Sequence, residues 1–310
     1  MNLSVVVPVF NEEESLNFFY KELINVLSKH KIQHEIVFVD DGSTDLSLEI
    51  LKEFSKQNNL VRVFSFRKNR GKSEALSCGF SKAKGDSVIT MDADLQDKPS
   101  ELLNLVAKLE EGYDHVSGWR KSRKDIGAKI IFSRVFNKTL DLLFGLKLHD
   151  YNCGLKAYTN EAAKSLRLYG GLHRFIPLLL YQNGFKVCEI PVSHSERKYG
   201  KSKFGVSKIW KDLPDMLTMI FLVKYSNKPL HFFGFIGLLF LFVGFSILLY
   251  LSSIKIFFDQ GIGNRPILFL GILLVLGGFQ VLFTGFLADL IINISNKERK
   301  EFPLRYSSEN

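Results

Sequence analysis

The stretch Leu3-Ser4-Val5-Val6-Val7-Pro8-Val9, followed at once by Phe10-Asn11-Glu12-Glu13-Glu14, decides the fold of the first half of the chain. A short apolar run that ends in polar residues, with a helix-like segment after it, is typical of a strand in a parallel sheet. The same change recurs along the next hundred residues. It predicts an α/β domain with an open, mostly parallel, doubly wound sheet.

The other predicted elements follow from this first strand. Strands are predicted at residues 3–9, 36–40, 61–66, 87–91 and 115–119, with helices at 13–27, 45–55, 73–84 and 100–110. A less regular region, residues 126–192, is predicted to hold helical segments and two short strands at 155–158 and 187–191. Ligands of such sheets bind beyond the carboxyl ends of the strands, so polar residues that directly follow strands are the candidate site.

Two segments near the end of the chain, residues 232–254 and 266–288, contain no Asp, Glu, Lys or Arg. About twenty helical residues cross the roughly 30 Å core of a bilayer, so both are predicted to be transmembrane helices. The basic segment 201–230 before them is expected to be amphipathic and to lie at the membrane surface, or else to pack as an ordinary helix. The predicted domains are a globular domain at 1–200, this juxtamembrane segment, two spans within 231–290 and a tail at 291–310.

Charge beside the two spans predicts their orientation. The basic residues outside them are Lys224, Lys228 and His231 before the first span and Lys297, Arg299, Lys300 and Arg305 after the second. The connection between the spans holds only Lys255, Asp259 and Arg265. Both ends of the pair are therefore expected in the cytoplasm. Gly277, Gly278, Gln280 and Thr284 in the second span would permit close helix packing or contacts in a homo-oligomer.

Composition narrows the partners and the redox state. The net charge of +9 predicts an anionic partner, either a phosphorylated ligand or the lipid surface, and no nucleic acid is expected. The three cysteines, Cys78, Cys153 and Cys188, are odd in number and lack the paired spacing of a zinc or redox site. They are predicted to be reduced.

The second predicted strand ends in Asp40-Asp41, followed by Gly42-Ser43-Thr44-Asp45. Acidic residues at such a place can cap the next helix, which accounts for Glu13 or Asp45. It does not account for two adjacent carboxylates, which repel each other unless a ligand, the backbone or a cation receives them. A carboxylate here can accept hydrogen bonds from a ribose or a base.

The fourth predicted strand ends in Asp92-Ala93-Asp94-Leu95-Gln96. Residues two apart on an extended segment point the same way, so Asp92 and Asp94 are expected to face one cation together. Carboxylate oxygens suit Mg²⁺ or Mn²⁺, which share their remaining positions with water and substrate phosphates. An Asp-x-Asp triplet is also frequent in solvated turns. Its place after a strand, with Asp40-Asp41 after an earlier one, favours the metal.

Several motifs together carry a family resemblance. The stretches 5–14, 39–45, 69–72 (Asn-Arg-Gly-Lys) and 91–97 resemble the family 2 inverting glycosyltransferases, which have the Rossmann-like GT-A fold. With 117–120 (Ser-Gly-Trp-Arg), 150–154 (Asp-Tyr-Asn-Cys-Gly) and 197–205, the chain resembles the polyprenyl-phosphate sugar transferases, a group that includes dolichyl-phosphate mannose synthase and bacterial bactoprenol glucosyltransferases. The paired C-terminal spans are similar to those of the bacterial members.

The resemblance implies roles for individual residues. It implies nucleoside or nucleotide contacts for Pro8, Phe10, Glu12, Asp40, Asp41, Lys72 and Asp92, and metal contacts for Asp92, Asp94 and Gln96. Phe10 stands where many relatives have Tyr, and Trp119 where relatives commonly have Ser. The implied reaction moves a hexose from a UDP- or GDP-linked donor to a polyprenyl phosphate. The implied location is the bacterial inner membrane, as a multi-pass protein with a cytoplasmic catalytic domain.

Basic residues provide the candidate acceptor site. A phosphate monoester carries about −1.5 to −2 charges at pH 7, and arginine side chains match it well. Arg120 and Arg134 belong to the catalytic half and are expected to act in catalysis on the acceptor phosphate. Arg197 and Lys203, with Lys201, precede the membrane and are expected to bind the same phosphate. Lys208 and Lys211 are expected only to contact anionic lipid.

Two other functions compete with this one. A transferase acting on a polysaccharide would resemble this chain in its first hundred residues, but such enzymes usually carry a Gln-x-x-Arg-Trp segment and more spans, and this sequence has neither. A non-catalytic membrane protein that binds nucleotide sugar is the second alternative. The intact acidic set argues against it.

Overall fold

The computed structural model describes residues 2–121, 141, 144–193, 221, 225 and 228–297. The chain divides into two compact units, Met1–Asp215 and Met216–Asn310. The first unit contains β1 (Leu3–Val9), α1 (Glu13–Lys29), β2 (His34–Asp40), α2 (Ser47–Gln57), β3 (Val61–Ser65), α3 (Lys72–Lys82), β4 (Ser87–Thr90), α4 (Leu102–Glu110), β5 (His115–Arg120), β6 (Lys156–Thr159), α5 (Asn160–Ser165), α6 (Ile176–Gln182) and β7 (Val187–Val192). Short 3₁₀ helices lie at Pro99–Glu101 and Leu172–Arg174. The strands and helices predicted from the apolar runs are confirmed, with small shifts at their ends.

The seven strands form one sheet in the order β3-β2-β1-β4-β6-β5-β7. Strands β1, β2, β3 and β4 pair in parallel, and so do β5 and β7. Strand β6 runs antiparallel to both β4 and β5. The fold is therefore a mixed, mostly parallel sheet, as predicted. The direction of β6 is an addition, because a four-residue apolar run does not encode which way it pairs.

The sheet order places a switch point beside β1. From β1 the chain adds β2 and β3 on one side, and it then crosses to add β4 on the other side. In open α/β sheets, the crevice outside the carboxyl ends of the strands at such a point is where ligands bind. The segments that follow β1, β2 and β4 are those that hold most of the predicted acidic residues.

Helix α1 shows how the core of this unit forms. Leu16, Phe19, Leu23 and Leu27 recur at helical spacing, and all four are fully buried against the sheet. Each such side chain contributes about 1.5 to 3 kcal/mol relative to exposure to water. Strands β1 and β2 are apolar along most of their length, because they are buried on both faces, as a central parallel strand must be.

The second unit contains two long helices, α7 (Pro229–Phe258) and α8 (Pro266–Lys297). Both are long and apolar enough to cross a membrane, in agreement with the two predicted spans. Over their most apolar stretches only 17% and 11% of the residues are buried, whereas a core helix of a soluble protein would be mostly buried. The segment 201–230, predicted to be amphipathic, falls almost wholly outside the described residues.

Glycines let the two long helices approach closely. A Cβ atom on Gly237 would lie 2.9 Å from the carbonyl oxygen of Gly278, and one on Gly244 would lie 3.0 Å from that of Gly271. Gly278 therefore serves helix packing within one chain. Thr284 donates its hydroxyl to the carbonyl oxygen of Gln280 in its own helix, at 2.9 Å.

Candidate active site

The loops after β1 and β2 are joined to each other by hydrogen bonds. Asn11, which has a left-handed backbone (φ 53°), accepts at its side-chain oxygen from the amide of Thr44 at 2.8 Å. Asp45 accepts from the amide of Glu13 at 3.2 Å, and Glu13 accepts from the amide of Leu46 at 2.8 Å. Glu13 therefore accepts from an amide at the start of α2, and Asp45 accepts from amides at the start of both helices because it also accepts from the amide of Ser47. These hydrogen bonds join the two loops into one surface at the carboxyl edge of the sheet.

Three predicted nucleoside contacts lie along this surface: Pro8, Phe10 and Glu12. Pro8 is the second-last residue of β1 and pairs with Val39 of β2. Phe10 is half-buried directly after the strand. Glu12 precedes α1, and its amide donates to the hydroxyl of Ser47 at 2.9 Å. The structure thus brings all three to the carboxyl edge of β1, next to the end of β2.

Asp40 is buried, and its carboxylate accepts hydrogen bonds from other groups of the protein. Its carboxylate accepts from the amide of Ser43 at 3.1 Å and from the hydroxyl of Ser65 at 2.6 Å, and the residue has no exposed surface. Asp40 therefore has hydrogen-bond partners within the protein, and its contact with the nucleoside stays a prediction. These partners stabilise the charge that the sequence argument left to a ligand, the backbone or a cation.

Asp41 holds the loop before α3. Its carboxylate accepts from the amides of Arg70 (2.7 Å) and Gly71 (3.0 Å) and from the side-chain amide of Asn69 (2.9 Å). Burial raises the pKa of Asp41, the two backbone amides oppose this, and neighbouring Asp40 adds to the rise. Gly42 makes the arrangement possible, because its φ is +71° and a Cβ there would lie 2.5 Å from the backbone of Lys68. Asp41 retains 4% exposure at the edge of the crevice.

Lys72 and Asp92 form the ion pair at the centre of the site. The ammonium of Lys72, the first residue of α3, lies 2.6 and 2.7 Å from the two carboxylate oxygens of Asp92. About a third of each side chain is exposed. Burial raises the pKa of Asp92, but the charge and hydrogen bonds of Lys72 outweigh it and leave the pKa lowered. The predicted nucleotide lysine and the predicted metal carboxylate are thus in direct contact.

Asp94 and Gln96 follow in a tight turn. Strand β4 ends at Thr90, and Leu95 has a left-handed backbone with φ 60°. The sequence argument from an extended segment is therefore wrong about the local backbone. Asp94 is 7% exposed and accepts from the amide of Gln96 at 3.2 Å. The three residues still lie within one short turn at the carboxyl edge of β4.

The donor set at this turn fits a divalent metal. A cationic ammonium already occupies both oxygens of Asp92, which shows that the position favours positive charge. Across the described residues no three His, Cys, Asp or Glu side chains gather as a complete metal cage. Mg²⁺ and Mn²⁺ do not need one, since they bind through one or two carboxylates and fill the remaining positions with water and phosphate.

Arg120 is paired before any acceptor arrives. Its guanidinium lies 2.7 Å (Nε) and 3.1 Å (Nη2) from the carboxylate of Asp150, a two-point contact between mostly buried groups. Burial lowers the pKa of Arg120, but Asp150 outweighs this and raises it above its ordinary value. Asp150 begins the 150–154 motif, so the structure joins two motifs that lie thirty residues apart.

Trp119 stacks on His149 with ring centroids 4.1 Å apart and planes 17° apart. Glu189 of β7 accepts from the amide of His149 and pairs with its Nδ1. Successive side chains of a strand point to opposite faces, so Trp119 and Arg120 face opposite sides of the sheet. This stacking gives Trp119 a partner at the position where the resemblance implies Ser.

Three further residues border Asp92, although the sequence assigned them no role. A Cβ on Gly154 would lie 2.5 Å from the Asp92 carboxylate, so a larger residue there would require that carboxylate to move. Lys156 is buried in β6, and His173 shares a hydrogen bond of 2.9 Å with Ser73. Burial and the charge of Lys72 lower the pKa of His173 to about 3. A lysine inside the apolar run 155–158 was a usable signal, because lysines are almost never fully buried without a partner.

The remaining predicted residues, Arg134, Arg197, Lys201 and Lys203, lie outside the described residues. Cys78, Cys153 and Cys188 are free thiols, as predicted. The described part of the candidate site therefore consists of acidic groups and a lysine at the carboxyl edge of a doubly wound sheet, where proteins of this architecture bind their ligands.

Comparisons with known proteins assign the family. The model of Glycosyl transferase family 2 matches residues 4–167. A dodecaprenyl-phosphate galacturonate synthase of Rhizobium johnstonii is 36% identical over 94% of this chain and 88% of its own length. An undecaprenyl-phosphate 4-deoxy-4-formamido-L-arabinose transferase of Edwardsiella ictaluri is 33% identical over 96% of this chain and 90% of its own. The chain belongs to glycosyl transferase family 2.

A solved structure supports the fold. Glucosyl-3-phosphoglycerate synthase from Mycobacterium tuberculosis, in complex with Mn²⁺, UDP-glucose and phosphoglyceric acid, matches with a TM-score of 0.55. It is 22% identical, and the match covers 72% of this chain and 79% of that one. At this identity the likeness concerns the fold alone.

Proposed function

We propose that this glycosyltransferase moves a hexose from a UDP- or GDP-linked donor to a membrane polyprenyl phosphate, with inversion and with a divalent metal. The observation that carries the proposal is the likeness, over nearly the full chain, to two relatives named for dodecaprenyl and undecaprenyl phosphate. The two long apolar helices agree with it, because a polyprenyl acceptor stays in the bilayer.

The donor binds at the carboxyl edge of β1, β2 and β4. Pro8, Phe10 and Glu12 line the nucleoside end, where the ring of Phe10 offers a stacking surface, and Asp41 closes that end at the loop before α3. Lys72 receives the diphosphate. Asp92, Asp94 and Gln96 would hold Mg²⁺ or Mn²⁺, which when bound neutralises charge on the diphosphate. The solved neighbour of the same fold was crystallised with Mn²⁺ and UDP-glucose, which supports a divalent metal and a nucleotide-sugar donor in general.

The transfer itself needs no general base from the protein. A phosphate oxygen of the lipid, already an anion at neutral pH, attacks the anomeric carbon and forms the new C–O bond. The bond from that carbon to the diphosphate oxygen breaks, and the nucleoside diphosphate leaves with the electron pair. The residues therefore position the two substrates and stabilise charge, rather than moving a proton.

The acceptor phosphate meets Arg120. The two-point pair with Asp150 fixes the guanidinium plane, and a phosphate adds to or replaces part of that contact. Arg134, Arg197 and Lys203 complete this part of the proposal. The membrane assignment is a multi-pass protein of the bacterial inner membrane, with residues 1–200 as the cytoplasmic catalytic domain. A homo-oligomer is compatible with it.

The test supplies purified full-length protein with nucleotide-linked glucose, mannose, galacturonate and 4-formamidoarabinose, with and without undecaprenyl phosphate and Mn²⁺. We expect release of UDP or GDP that requires both the lipid and the metal. Release that instead requires a glycan acceptor would support the polysaccharide alternative. Binding of donor without release under any condition would support the non-catalytic one.

Substitutions locate the activity. Asp92→Ala and Asp94→Ala should abolish turnover and leave the protein folded. Asp86→Ala is the matched control, because Asp86 precedes the other end of β4 and its carboxylate accepts from the amide of Asn2, at 3.1 Å. Near-normal activity in either site variant would contradict the metal assignment.

A further inference from the structure

We propose that Lys156 is a positioning residue that ties the donor half of the site to the acceptor half, by holding the turn at residues 150–154. The inference rests on the proposed function only for its kinetic readout. The geometry that supports it concerns one buried lysine, one turn and the two site residues that this turn contacts.

Lys156 occupies the middle of the sheet. It is the first residue of β6 and lies opposite Thr90 of β4 and Ser117 of β5. Two residues beyond Thr90 is Asp92, and three residues beyond Ser117 is Arg120. Lys156 is 3% exposed. Moving an ammonium group out of water costs free energy unless hydrogen bonds or opposite charges compensate for it.

The ammonium of Lys156 is hydrogen-bonded to the turn. Its Nζ donates to the carbonyl oxygen of Cys153 at 2.5 Å. Burial lowers the pKa of Lys156 to about 8, so the group is still largely protonated at pH 7. The hydroxyl of Thr90 donates to the next carbonyl, that of Gly154, at 3.1 Å. Two side chains from the sheet thus hold two consecutive peptide groups.

The turn contacts both halves of the site. At its beginning, Asp150 accepts the two-point contact from Arg120. At its end, the Cα of Gly154 lies so close to Asp92 that an added Cβ would be 2.5 Å from the carboxylate. A shift of this turn therefore moves Arg120 and Asp92 together. In a reaction between two bound substrates, a displacement of about 1 Å costs about a hundredfold in rate.

The experiment compares full-length wild type, Lys156→Met, Thr90→Val and His115→Phe. Methionine keeps the length and removes the donor, and valine keeps the shape of threonine and removes the second donor. His115 is the matched control: it is fully buried beside β6 and shares a hydrogen bond with Ala157, but it does not touch the turn. The readouts are kcat, nucleoside diphosphate affinity, melting temperature and the alkylation rate of Cys153.

Alkylation of Cys153 by N-ethylmaleimide, followed by mass spectrometry, reports on the turn without any turnover. Cys153 is 1% exposed, and half-exposed Cys78 on α3 serves as the reference in the same molecules. Lys156→Met should accelerate alkylation of Cys153 roughly tenfold, the scale of one lost hydrogen bond from a charged donor. Burial raises the pKa of Cys153 and the charge of Lys156 opposes that rise, so loss of this charge alone would slow the reaction. Acceleration therefore reports opening.

We expect Lys156→Met to lower kcat by about a hundredfold while nucleoside diphosphate affinity changes by less than about threefold. Thr90→Val should lower kcat and accelerate alkylation of Cys153 by smaller factors, and His115→Phe should do neither. The proposal would be overturned if Lys156→Met kept the wild-type kcat per folded molecule and its Cys153 stayed protected from alkylation. If Lys156→Met does not fold, Thr90→Val decides in the same way. If the wild type transfers no sugar, the proposed function fails and the alkylation rates still decide whether Lys156 holds the turn.

Discussion

The Lys72–Asp92 ion pair predicts that a single substitution changes metal and donor affinity in opposite directions. In the protein without donor, the ammonium of Lys72 covers both oxygens of Asp92 at 2.6 and 2.7 Å, so a metal must displace it. Lys72→Met removes this competitor. It also removes the cation that we assign to the donor diphosphate. Metal alone should therefore bind more tightly, and donor less tightly.

The size of the effect can be worked from the contact. Two unit charges 2.6 Å apart attract by about 6 kcal/mol at an effective dielectric constant of 20. About a third of each side chain is in water, and screening and side-chain entropy reduce the net value to about 1 to 2 kcal/mol. That corresponds to a roughly 5- to 30-fold gain in Mn²⁺ affinity, at about 1.4 kcal/mol per factor of ten. Loss of a charged hydrogen bond to the diphosphate should weaken donor binding by at least about tenfold.

Electron paramagnetic resonance of free Mn²⁺ measures the first quantity, with titrations in the absence and presence of nucleoside diphosphate. Lys82→Met is the matched control, since Lys82 lies at the other end of α3 and places its ammonium over the ring of Phe64. It makes the same change in net charge away from the site. If Lys72→Met bound Mn²⁺ no more tightly than Lys82→Met, Asp92 would not be a metal ligand that Lys72 covers.

Three further predictions follow from other contacts. Gly154→Ala should displace the Asp92 carboxylate, because its Cβ would lie 2.5 Å from it, and should lower kcat about a hundredfold with a small change in melting temperature; unchanged kcat would refute the crowding. Asp150→Asn leaves the mostly buried Arg120 without its anionic partner and should lower the free energy of unfolding by about 3 kcal/mol. A melting temperature equal to that of wild type would contradict this prediction. Burial and the charge of Lys156 lower the pKa of His115 from 6.5 to about 3, so between these two pH values the unfolded chain binds up to one proton more than the folded one. Stability should fall as the pH drops from 6.5 towards 3, by up to about 1.4 kcal/mol per pH unit, and melting curves of His115→Phe should show a weaker dependence.

Much of the sheet could be predicted because its strands are apolar runs bounded by polar residues. The pattern of β1 identifies a buried strand without any knowledge of its neighbours, and the same holds for β2 and β4. The antiparallel direction of β6 could not be predicted, since a lysine and three further residues pair equally well in either direction. The partner of each strand is a property of the whole sheet.

The sequence located candidate residues at the ends of strands, but it could not show which of their side chains pair with each other. Sequence identified Asp92 and Lys72 separately, twenty residues apart, but no local pattern brings their charges into contact. Arg120 and Asp150 were likewise identified as parts of two motifs. Lys156 belongs to no motif, and what marks it as unusual is its place in the apolar run 155–158 together with its burial. Pairings across the sheet depend on strand register, which a single sequence does not contain.

The acidic residues differ in the groups that donate hydrogen bonds to them. Asp40 and Asp41 accept from backbone amides and short side chains of the loops, so breaking these hydrogen bonds would disrupt the loops themselves. Asp92 is received by the end of one long lysine side chain, which can move away by rotation about its own bonds. Because Asp41 fixes the amides of Arg70 and Gly71, it also fixes where α3 begins and where Lys72 starts. Loss of Asp41 should therefore act on the diphosphate end of the donor through Lys72, as well as on the nucleoside end.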